Sequence, residues 1–323
     1  MRKTNMTRKE ITDRFVAAIA QGNLPWRKPF ARIAHQNPFS GTVYRGVNQL
    51  LLSLDMNASP HWGTYLQWKN AGCNVRKGAK ASPIVFYGNV EKTNEEGEEV
   101  SFWLMRHYTV FHVGQVDDPM DKFKSIREMN IVTNFEIASR IIDNCGVDIR
   151  IGGNAAFYVP SENFIRVPHS SQFQSEEARL AVLFHEIGHW GDHTILERKP
   201  ELDKKSPGYA FEELVAEIAA CFLCQACGVP TDWDTHAGYI TSWIQAMQND
   251  PAYIFEASRD ATKITDAILQ RAGIKSEMEE EGTKQPENKP TVSSIYQGIR
   301  PKDVIYPTNR QYHWDYVDPR CYE

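Results

Sequence analysis

The stretch Leu180–His193, LAVLFHEIGHWGDH, constrains the fold more than any other part of the 323-residue chain. It contains the pattern H-E-x-x-H at His185, Glu186 and His189. Side chains four residues apart lie above one another on a helix, so both imidazoles can bind one metal ion. Glu186 then lies beside the metal, where it can take a proton from a bound water. The stretch therefore predicts a metal-binding helix, and we expect Ser175 to cap it.

A second predicted helix, Tyr209–Leu223, supplies the remaining candidates. It carries Glu213 and Glu217 among apolar side chains, where an unpaired carboxylate would be costly. A catalytic zinc site has three protein ligands and one open position, and Glu213 is our candidate for the third ligand. Glu217 is expected to accept the outer N–H of a ligand histidine. Glu212 is a competing candidate, but it does not share a face with Glu217.

Other potentially reactive side chains on these two helices are expected to have structural rather than catalytic or metal-binding roles. His193 is about 12 Å from His185 along the helix axis, so we expect it to end the helix rather than to join the metal site. Tyr209 is expected to pack, with donation to an oxyanion as the alternative. Buried thiols, rather than a metal cluster, are the preferred interpretation of Cys221, Cys224 and Cys227.

Charge is distributed unevenly along the chain. Residues 1–90 contain 13 Lys and Arg against three Asp and Glu, a net charge of +10. The remainder has 23 basic against 38 acidic residues, a net charge of −15. A basic part on an acidic chain predicts an anionic partner for that part, with nucleic acid as the first candidate.

Aromatic residues alternate with cations in the basic part. Bases of a single strand stack on aromatic rings while cations follow the phosphates, largely without sequence preference. This pattern predicts binding of single-stranded DNA. The alternative is a small core in which the aromatics are packed and the cations solvated. The candidate contacts are Trp26, Arg27, Lys28, Phe30, Tyr44, Arg45, Trp62, Trp68, Lys69, Arg76, Lys77 and Lys80.

The chain shows no sign of secretion or membrane insertion. It has no apolar run near 18 residues, and Met1–Glu10 is polar and basic without a following apolar stretch. The six cysteines are too few and too irregularly spaced for a disulfide framework. We therefore expect a soluble cytoplasmic protein without a membrane partner.

The element pattern predicts an α+β chain with two domains, a linker and a tail. The polar break Asp117–Asp121 is the best boundary. Residues 148–159 and 163–167 are predicted to form a hairpin, and 155–159 or 163–167 is the candidate edge strand for pairing with a substrate backbone. The predicted segments are a DNA-binding domain at 1–120, a metal-binding domain at 121–273, a disordered linker at 274–292 and an aromatic-rich tail at 293–323.

Several motifs also resemble known families. HEIGH followed by EELVAEIAA is similar to the zincin metallopeptidases that use a downstream glutamate as third ligand. FYVPSENFIRVP…LFHEIGHWGDH…YAFEELVAEIAACFLC resembles the C-terminal domain of ArdC-type antirestriction proteins. LPWRKPF…NPFSGTVYRGVN…TYLQWKNAGCNVRKGAKASPIVFY…YTVFHVGQV resembles their N-terminal single-stranded-DNA-binding domain, shared with some plasmid primases. Matching positions in the N-terminal domain are Trp26, Tyr44, Arg45, Gly46, Asn48, Arg76, Lys77 and Gly78, which adds Asn48 to the candidate DNA contacts.

The resemblance implies a zincin-like metallopeptidase domain that holds one Zn²⁺ per chain, with Mn²⁺ or another divalent metal as the alternative. It also implies protection of incoming plasmid or phage DNA, and a protein substrate for which a component of a restriction system is a candidate. Two other functions stay open. One is a DNA-binding accessory or replication protein with a structural or inactive zinc site, and the other is a protease that acts on DNA-bound proteins.

Overall fold

The computed structural model describes residues 6–27, 32–55, 59–93, 99–128, 131–201, 203–231 and 237–274, with the backbone alone for 87–104. The predicted tail and all of the predicted linker except Ile274 lie outside these residues. The chain divides into two compact units, Met1–Phe86 with His107–Gln285, and Tyr87–Arg106 with Pro286–Glu323. Both predicted metal-binding helices and most of the basic part belong to the first unit.

The N-terminal part combines short helices with three- and two-stranded sheets. Strand β4 lies between β1 and β3 in one sheet, and β2 pairs with β5 in the other. Capping boxes fix two helix starts, Thr7 with Glu10 before α1 and Thr64 with Gln67 before α3. The elements are α1 Arg8–Ala20, α2 Val47–Leu54, β1 Trp62–Gly63, α3 Tyr65–Asn70, β2 Asn74–Val75, β3 Ser82–Thr93, β4 Glu99–His112 and β5 Val116–Asp117.

Tryptophans form the core of this part. Trp62 is buried and donates from its indole nitrogen to Nδ1 of His35 at 3.0 Å. Trp68 is also buried and donates to the carbonyl oxygen of Phe111 at 3.0 Å. Burial lowers the pKa of His35 to about 3, with further lowering by the nearby His112, so this ring accepts the indole proton as a neutral base. These two tryptophans are therefore packed, as the core alternative predicted.

The C-terminal part contains a small sheet and a helical layer. Its elements are α4 Lys124–Arg127, α5 Phe135–Asn144, β6 Asp148–Ile151, β7 Phe157–Val159, β8 Phe164–Val167, α6 Glu176–Thr194, α7 Pro207–Cys227, α8 Ile240–Asn249 and α9 Tyr253–Arg271. Ser175 accepts a hydrogen bond from the backbone N–H of Ala178 at 3.1 Å and so caps α6, as expected. The mixture of helices and strands confirms the α+β class.

The predicted hairpin is confirmed for Phe157–Val159 with Phe164–Val167, but Asp148–Ile151 forms a separate strand, β6, instead of extending the first arm. Strand β8 lies in the middle of this sheet, antiparallel to β7 and parallel to β6. The reason is local, because Gly152 and Gly153 have φ values of +144° and +79° and end β6 before the hairpin begins. Since β8 is paired on both sides, β7 is the better of the two candidate strands for binding a substrate backbone.

Residues from the N-terminal part pack against the C-terminal helices within the first unit. Trp26 meets Trp243 edge to face, with ring centroids 5.5 Å apart. The hydroxyl of Thr12 donates to the carbonyl oxygen of Pro251 at 2.8 Å. Side chains from opposite ends of the chain therefore share one core. Among the described residues, every helix is too short or too polar to cross a lipid bilayer.

Candidate metal centre and DNA contacts

Helices α6 and α7 bring the three predicted metal ligands together. Nε2 of His185 lies 3.6 Å from Oε2 of Glu213, and Nε2 of His189 lies 3.6 Å from Oε1 of the same carboxylate. The two imidazole nitrogens are 3.1 Å apart. The side chains are 5%, 13% and 5% exposed for His185, His189 and Glu213. One ligand atom from each of the three side chains thus lies within 4.8 Å of the other two, close enough to share one ion.

This donor set fits a divalent cation. Two imidazole nitrogens and one carboxylate oxygen are ligands that zinc and manganese accept. Burial, the largest influence, lowers the pKa of His185, but the nearby carboxylates of Glu213, Glu217 and Glu186 outweigh it and raise this pKa. The surroundings of His185 therefore favour positive charge, as a cation site requires. Glu186 is 9% exposed and follows His185 on the same helix.

Glu212, the competing third ligand, faces a different histidine. Its Oε1 accepts a hydrogen bond from the backbone N–H of Glu201 at 3.0 Å, and its Oε2 lies 3.8 Å from Nε2 of His193. Burial raises the pKa of Glu212 to about 7, and the charge of Asp192 raises it as well. The geometry therefore favours Glu213 as the third ligand.

Tyr209 lies next to this site. Burial raises the pKa of its hydroxyl strongly, and the charge of Glu213 and a hydrogen bond to that carboxylate raise it further. Its ring is 5.9 Å from that of Tyr239. Tyr209 is therefore a packed residue whose neutral hydroxyl remains a hydrogen-bond donor at the edge of the site.

Glu217 has a partner that the sequence did not indicate. Arg27 donates from Nη2 to Oε1 of Glu217 at 2.8 Å and from Nε to Oε2 at 3.4 Å. The side chains are 14% and 0% exposed, respectively. The predicted DNA contact at Arg27 therefore needs a correction, because its guanidinium is used to neutralise a fully buried carboxylate. Glu217 still acts on His185, whose pKa its charge helps to raise.

Two glycines on α6 allow the neighbouring helices to approach. A Cβ added at Gly188 would lie 2.9 Å from both Cα and the carbonyl oxygen of Ala216 on α7. A Cβ added at Gly191 would overlap the side chain of Ile264 on α9. Backbone contact at Gly188 sets the distance between the histidines on α6 and Glu213 on α7.

Replacing Gly188 with alanine is expected to separate α6 from α7. We expect the free energy of unfolding to fall by about 1–3 kcal/mol, the usual cost of overpacking, and the affinity for Mn²⁺ to fall with it. Chemical denaturation and Mn²⁺ titration would measure both. The matched control is Gly238→Ala, where an added Cβ meets nothing within 4 Å. Equal stability of the two variants would show that the close approach is not needed.

Several predicted DNA contacts have partners within the chain. Trp26 is 0% exposed, so a base cannot stack on it unless the indole leaves the core. Arg45 forms an ion pair with Asp266 on α9. Asn48 exchanges two hydrogen bonds of 2.8 Å with the backbone of Val85 and so holds strand β3. Trp26 and Asn48 are therefore structural in this conformation, whereas the side chain of Arg45 stays 40% exposed beside its ion-pair partner.

The remaining candidates differ in accessibility. Tyr44 is half-buried, and its hydroxyl donates to the carbonyl oxygen of Trp62 at 3.3 Å. Arg76 donates to Asp117 at 2.7 Å, although its side chain stays 53% exposed. Lys28 and Phe30 lie outside the described residues. Exposed lysines remain at Lys69, Lys77 and Lys80.

The exposed aromatic residue Tyr65 was not among the DNA contacts predicted from the sequence. Tyr65 is 53% exposed and lies four residues before Lys69 on α3, so the two side chains share a face. The available signal was the pattern Thr64-x-x-Gln67, which fixes the start of α3 and hence the direction of each side chain.

Comparisons with known families match both parts of the chain. Residues 136–260 match the family described as zincin-like metallopeptidase. Residues 5–111 match the family described as the N-terminal domain of the anti-restriction factor ArdC. The two matches follow the same order as the motifs in the sequence.

Two curated relatives illustrate the range of proteins that contain similar sequences. A DNA primase TraC of Escherichia coli is 34% identical over 304 residues, which cover 86% of this chain and 28% of the primase. The chain thus spans little more than a quarter of that relative. The uncharacterized protein y4eC of Sinorhizobium fredii (strain NBRC 101917 / NGR234) is 32% identical over 280 residues, which cover 80% of this chain and 90% of the relative.

Two solved structures are similar over most of the chain. The metal-free antirestriction ArdC protein from plasmid R388 is 34% identical with a TM-score of 0.71, covering 82% of this chain and 97% of that one. The Mn(II)-bound structure of that protein is 32% identical with a TM-score of 0.67, covering 83% and 98%.

Proposed function

Because the chain belongs to the ArdC family of antirestriction proteins, we propose that it binds single-stranded DNA, hydrolyses peptide bonds at a metal site and protects incoming plasmid or phage DNA. The observation that carries the peptidase proposal is the convergence of His185, His189 and Glu213, with Glu186 beside them. We propose one divalent cation per chain at this site, with Zn²⁺ as the first candidate. The R388 relative supports Mn²⁺ as the alternative.

The mechanism follows from the positions of the side chains. A divalent cation held by His185, His189 and Glu213 would lower the pKa of a bound water to about 7. Glu186 accepts the proton of the attacking water and returns it to the leaving amine. The ion pair of Arg27 and Glu217 holds the surroundings of His185 in place. Strand β7, at the edge of its sheet among the described residues, pairs with an extended substrate backbone.

The peptidase proposal can be tested with the full chain loaded with Zn²⁺ or Mn²⁺ and a fluorogenic peptide library. We expect hydrolysis that is abolished by chelation and restored by the metal. Absence of hydrolysis and of stoichiometric metal binding would contradict the proposal.

The DNA-binding proposal rests on the exposed cations of the N-terminal part. Lys69 shares a face of α3 with the exposed ring of Tyr65, and Lys77 and Lys80 lie in the exposed turn after β2. An aromatic ring beside lysines matches the way bases and phosphates of a single strand are bound. The exposed face of α3 and the turn after β2 are our candidate DNA contacts.

Replacing Lys69, Lys77 and Lys80 together with alanine is expected to weaken binding of a single-stranded oligonucleotide. Loss of three phosphate contacts would reduce the slope of log affinity against log salt concentration by about 2. Fluorescence anisotropy at several salt concentrations measures the slope. The control variant replaces Lys199, Lys204 and Lys205, which are exposed in the C-terminal part. An equal loss in both variants would contradict this location.

One observation favours a second candidate function, a protease that acts on DNA-bound proteins. Arg27 lies between the buried Trp26 and the basic residue Lys28 in sequence, and it pairs with Glu217 next to the candidate metal site. DNA bound elsewhere on the basic N-terminal part would thus be linked to the candidate metal site through the ion pair of Arg27 and Glu217. Peptide hydrolysis that rises on addition of an oligonucleotide would support this function, and hydrolysis that does not respond would contradict it.

A further inference from the structure

A second group of side chains that could hold a metal ion lies between α6, one turn beyond His189, and α7. Ligand atoms of Asp192, His193 and Glu212 all lie within 4.8 Å of one another. Their side chains are 0%, 8% and 5% exposed, respectively. We propose that these three residues bind a second divalent cation, about 6 Å along the helix axis from the site at His189.

His193 is oriented in the way that metal-binding histidines are. Its Nδ1 lies 2.9 Å from the carbonyl oxygen of Arg198. A carbonyl oxygen only accepts hydrogen bonds, so Nδ1 carries a proton and Nε2 is the ring nitrogen left to bind a metal. The ring of Tyr158 stacks on His193 at a centroid distance of 5.9 Å and an angle of 16°. A backbone acceptor on one nitrogen commonly directs the other nitrogen toward a metal.

The distance from His193 to Glu212 fits a shared ion better than a direct contact. Nε2 and Oε2 are 3.8 Å apart, which is too long for a hydrogen bond. Two ligand atoms at about 2.0–2.2 Å from one ion can be separated by up to about 4 Å. The corresponding distances at the first candidate site, from His185 and His189 to Glu213, are both 3.6 Å.

The carboxylate of Asp192 supports the second cation site independently of the distances between the ligand atoms. Its Oδ1 accepts a hydrogen bond from Nη1 of Arg198 at 2.5 Å. Its Oδ2 is buried without a hydrogen-bond partner in the part of the chain that the structure describes. A buried carboxylate oxygen without a partner is costly, and a bound cation would remove that cost.

Carboxylates outnumber the cationic groups that pair with them around the site, so the local charge favours a bound positive ion. Arg198 also donates from Nη2 to Asp260 at 2.7 Å, so one guanidinium is divided between two carboxylates. Nε of Arg259 donates a hydrogen bond to Oδ1 of Asp260 at 3.1 Å.

The donor set selects the class of ion and suggests its role. One imidazole nitrogen with two carboxylate oxygens suits Zn²⁺ or Mn²⁺. The ligands come from α6 and α7, and their outer partners, Arg198 and Glu201, come from the segment between these helices. A cation here would tie the two helices and their connection together, and the burial of all three ligands indicates a structural role rather than catalysis.

Mn²⁺ titration of the metal-free full chain, followed by the electron paramagnetic resonance of unbound Mn²⁺, tests the proposal. We expect two ions per wild-type chain and one per chain of His185→Ala, which removes only the first site. The variant His185→Ala with Asp192→Asn should bind none. The control His185→Ala with Asp266→Asn alters another arginine-paired aspartate and should still bind one.

The outcomes separate this site from the proposed peptidase site. If His185→Ala binds no Mn²⁺, the second site does not exist, whatever the wild-type chain binds. If the ion persists after Asp192→Asn is added, it binds elsewhere and the assignment is wrong. If the variant with Asp192→Asn does not fold, the thermal stability of His185→Ala tests the second site instead. Mn²⁺ should raise the midpoint of unfolding of His185→Ala, and an unchanged midpoint would contradict the site.

Discussion

Replacing Arg27 with alanine is expected to destabilise the protein by about 3–5 kcal/mol, as found when one partner of a buried ion pair is removed. Glu217 is 0% exposed and would keep its charge without its bidentate partner. Because Glu217 lies close to His185, we also expect the affinity for Mn²⁺ to fall by about 10–100-fold. Urea denaturation measures the first effect and a metal-competition assay the second.

Arg32→Ala is the matched control for this variant. Arg32 comes from the same basic part and also reaches the C-terminal helices, donating to the carbonyl oxygen of Gly228 at 2.8 Å and to Thr133 at 2.9 Å. Its partners are uncharged, so its removal leaves no buried charge behind and should leave metal affinity unchanged. Adding Glu217→Gln to Arg27→Ala should recover part of the lost stability, since the buried negative charge that Arg27 neutralised is then absent. Wild-type stability and metal affinity in Arg27→Ala would show that the pair contributes to neither.

The second large effect is expected at Glu186. Its replacement with glutamine should lower the rate of peptide hydrolysis by about 10²–10⁴-fold, the usual contribution of a general base. The metal ligands and the exposed lysines are unchanged in this variant, so binding of Mn²⁺ and of single-stranded DNA should persist. Steady-state hydrolysis at saturating metal measures the loss in kcat. Glu128→Gln, at an exposed glutamate outside the site, is the control.

Protection of DNA by Glu186→Gln distinguishes the proposed functions. If proteolysis is needed, the variant loses protection of incoming DNA in cells together with hydrolysis. If protection is retained while hydrolysis is lost, the chain acts as a DNA-binding accessory protein in this process. Hydrolysis at the wild-type rate would instead show that Glu186 is not the base.

Sequence spacing predicted that His185 and His189 share one face, because their geometry depends only on the helix that contains both. His185 and His189 are four residues apart on one helix, and Glu213 lies on the next long helix. The capping residue Ser175 and the apolar periodicity fix the phase of α6, and therefore the face that both imidazoles share. The packing of α6 against α7, which brings Glu213 to the two histidines, is a tertiary contact that spacing along the chain does not determine.

Other features were not predictable because the partners are far apart in sequence. Arg27 and Glu217 are separated by 190 residues, and Arg45 and Asp266 by 221. A lysine or arginine that reaches a buried carboxylate looks the same in sequence as one that reaches a phosphate. The pairing of His193 with Glu212 was hidden for the same reason, since distance along α6 only showed which site His193 does not join.

The packing of Trp26 on Trp243 has a practical consequence for dissecting the chain. A fragment beginning at residue 121 would keep every proposed metal ligand. It would lack Trp26, which covers the buried ring of Trp243, and Arg27, which pairs with Glu217. We therefore expect that the two halves cannot be cut apart and assayed as independent modules. Assigning separate activities to them depends on side-chain substitutions in the intact polypeptide.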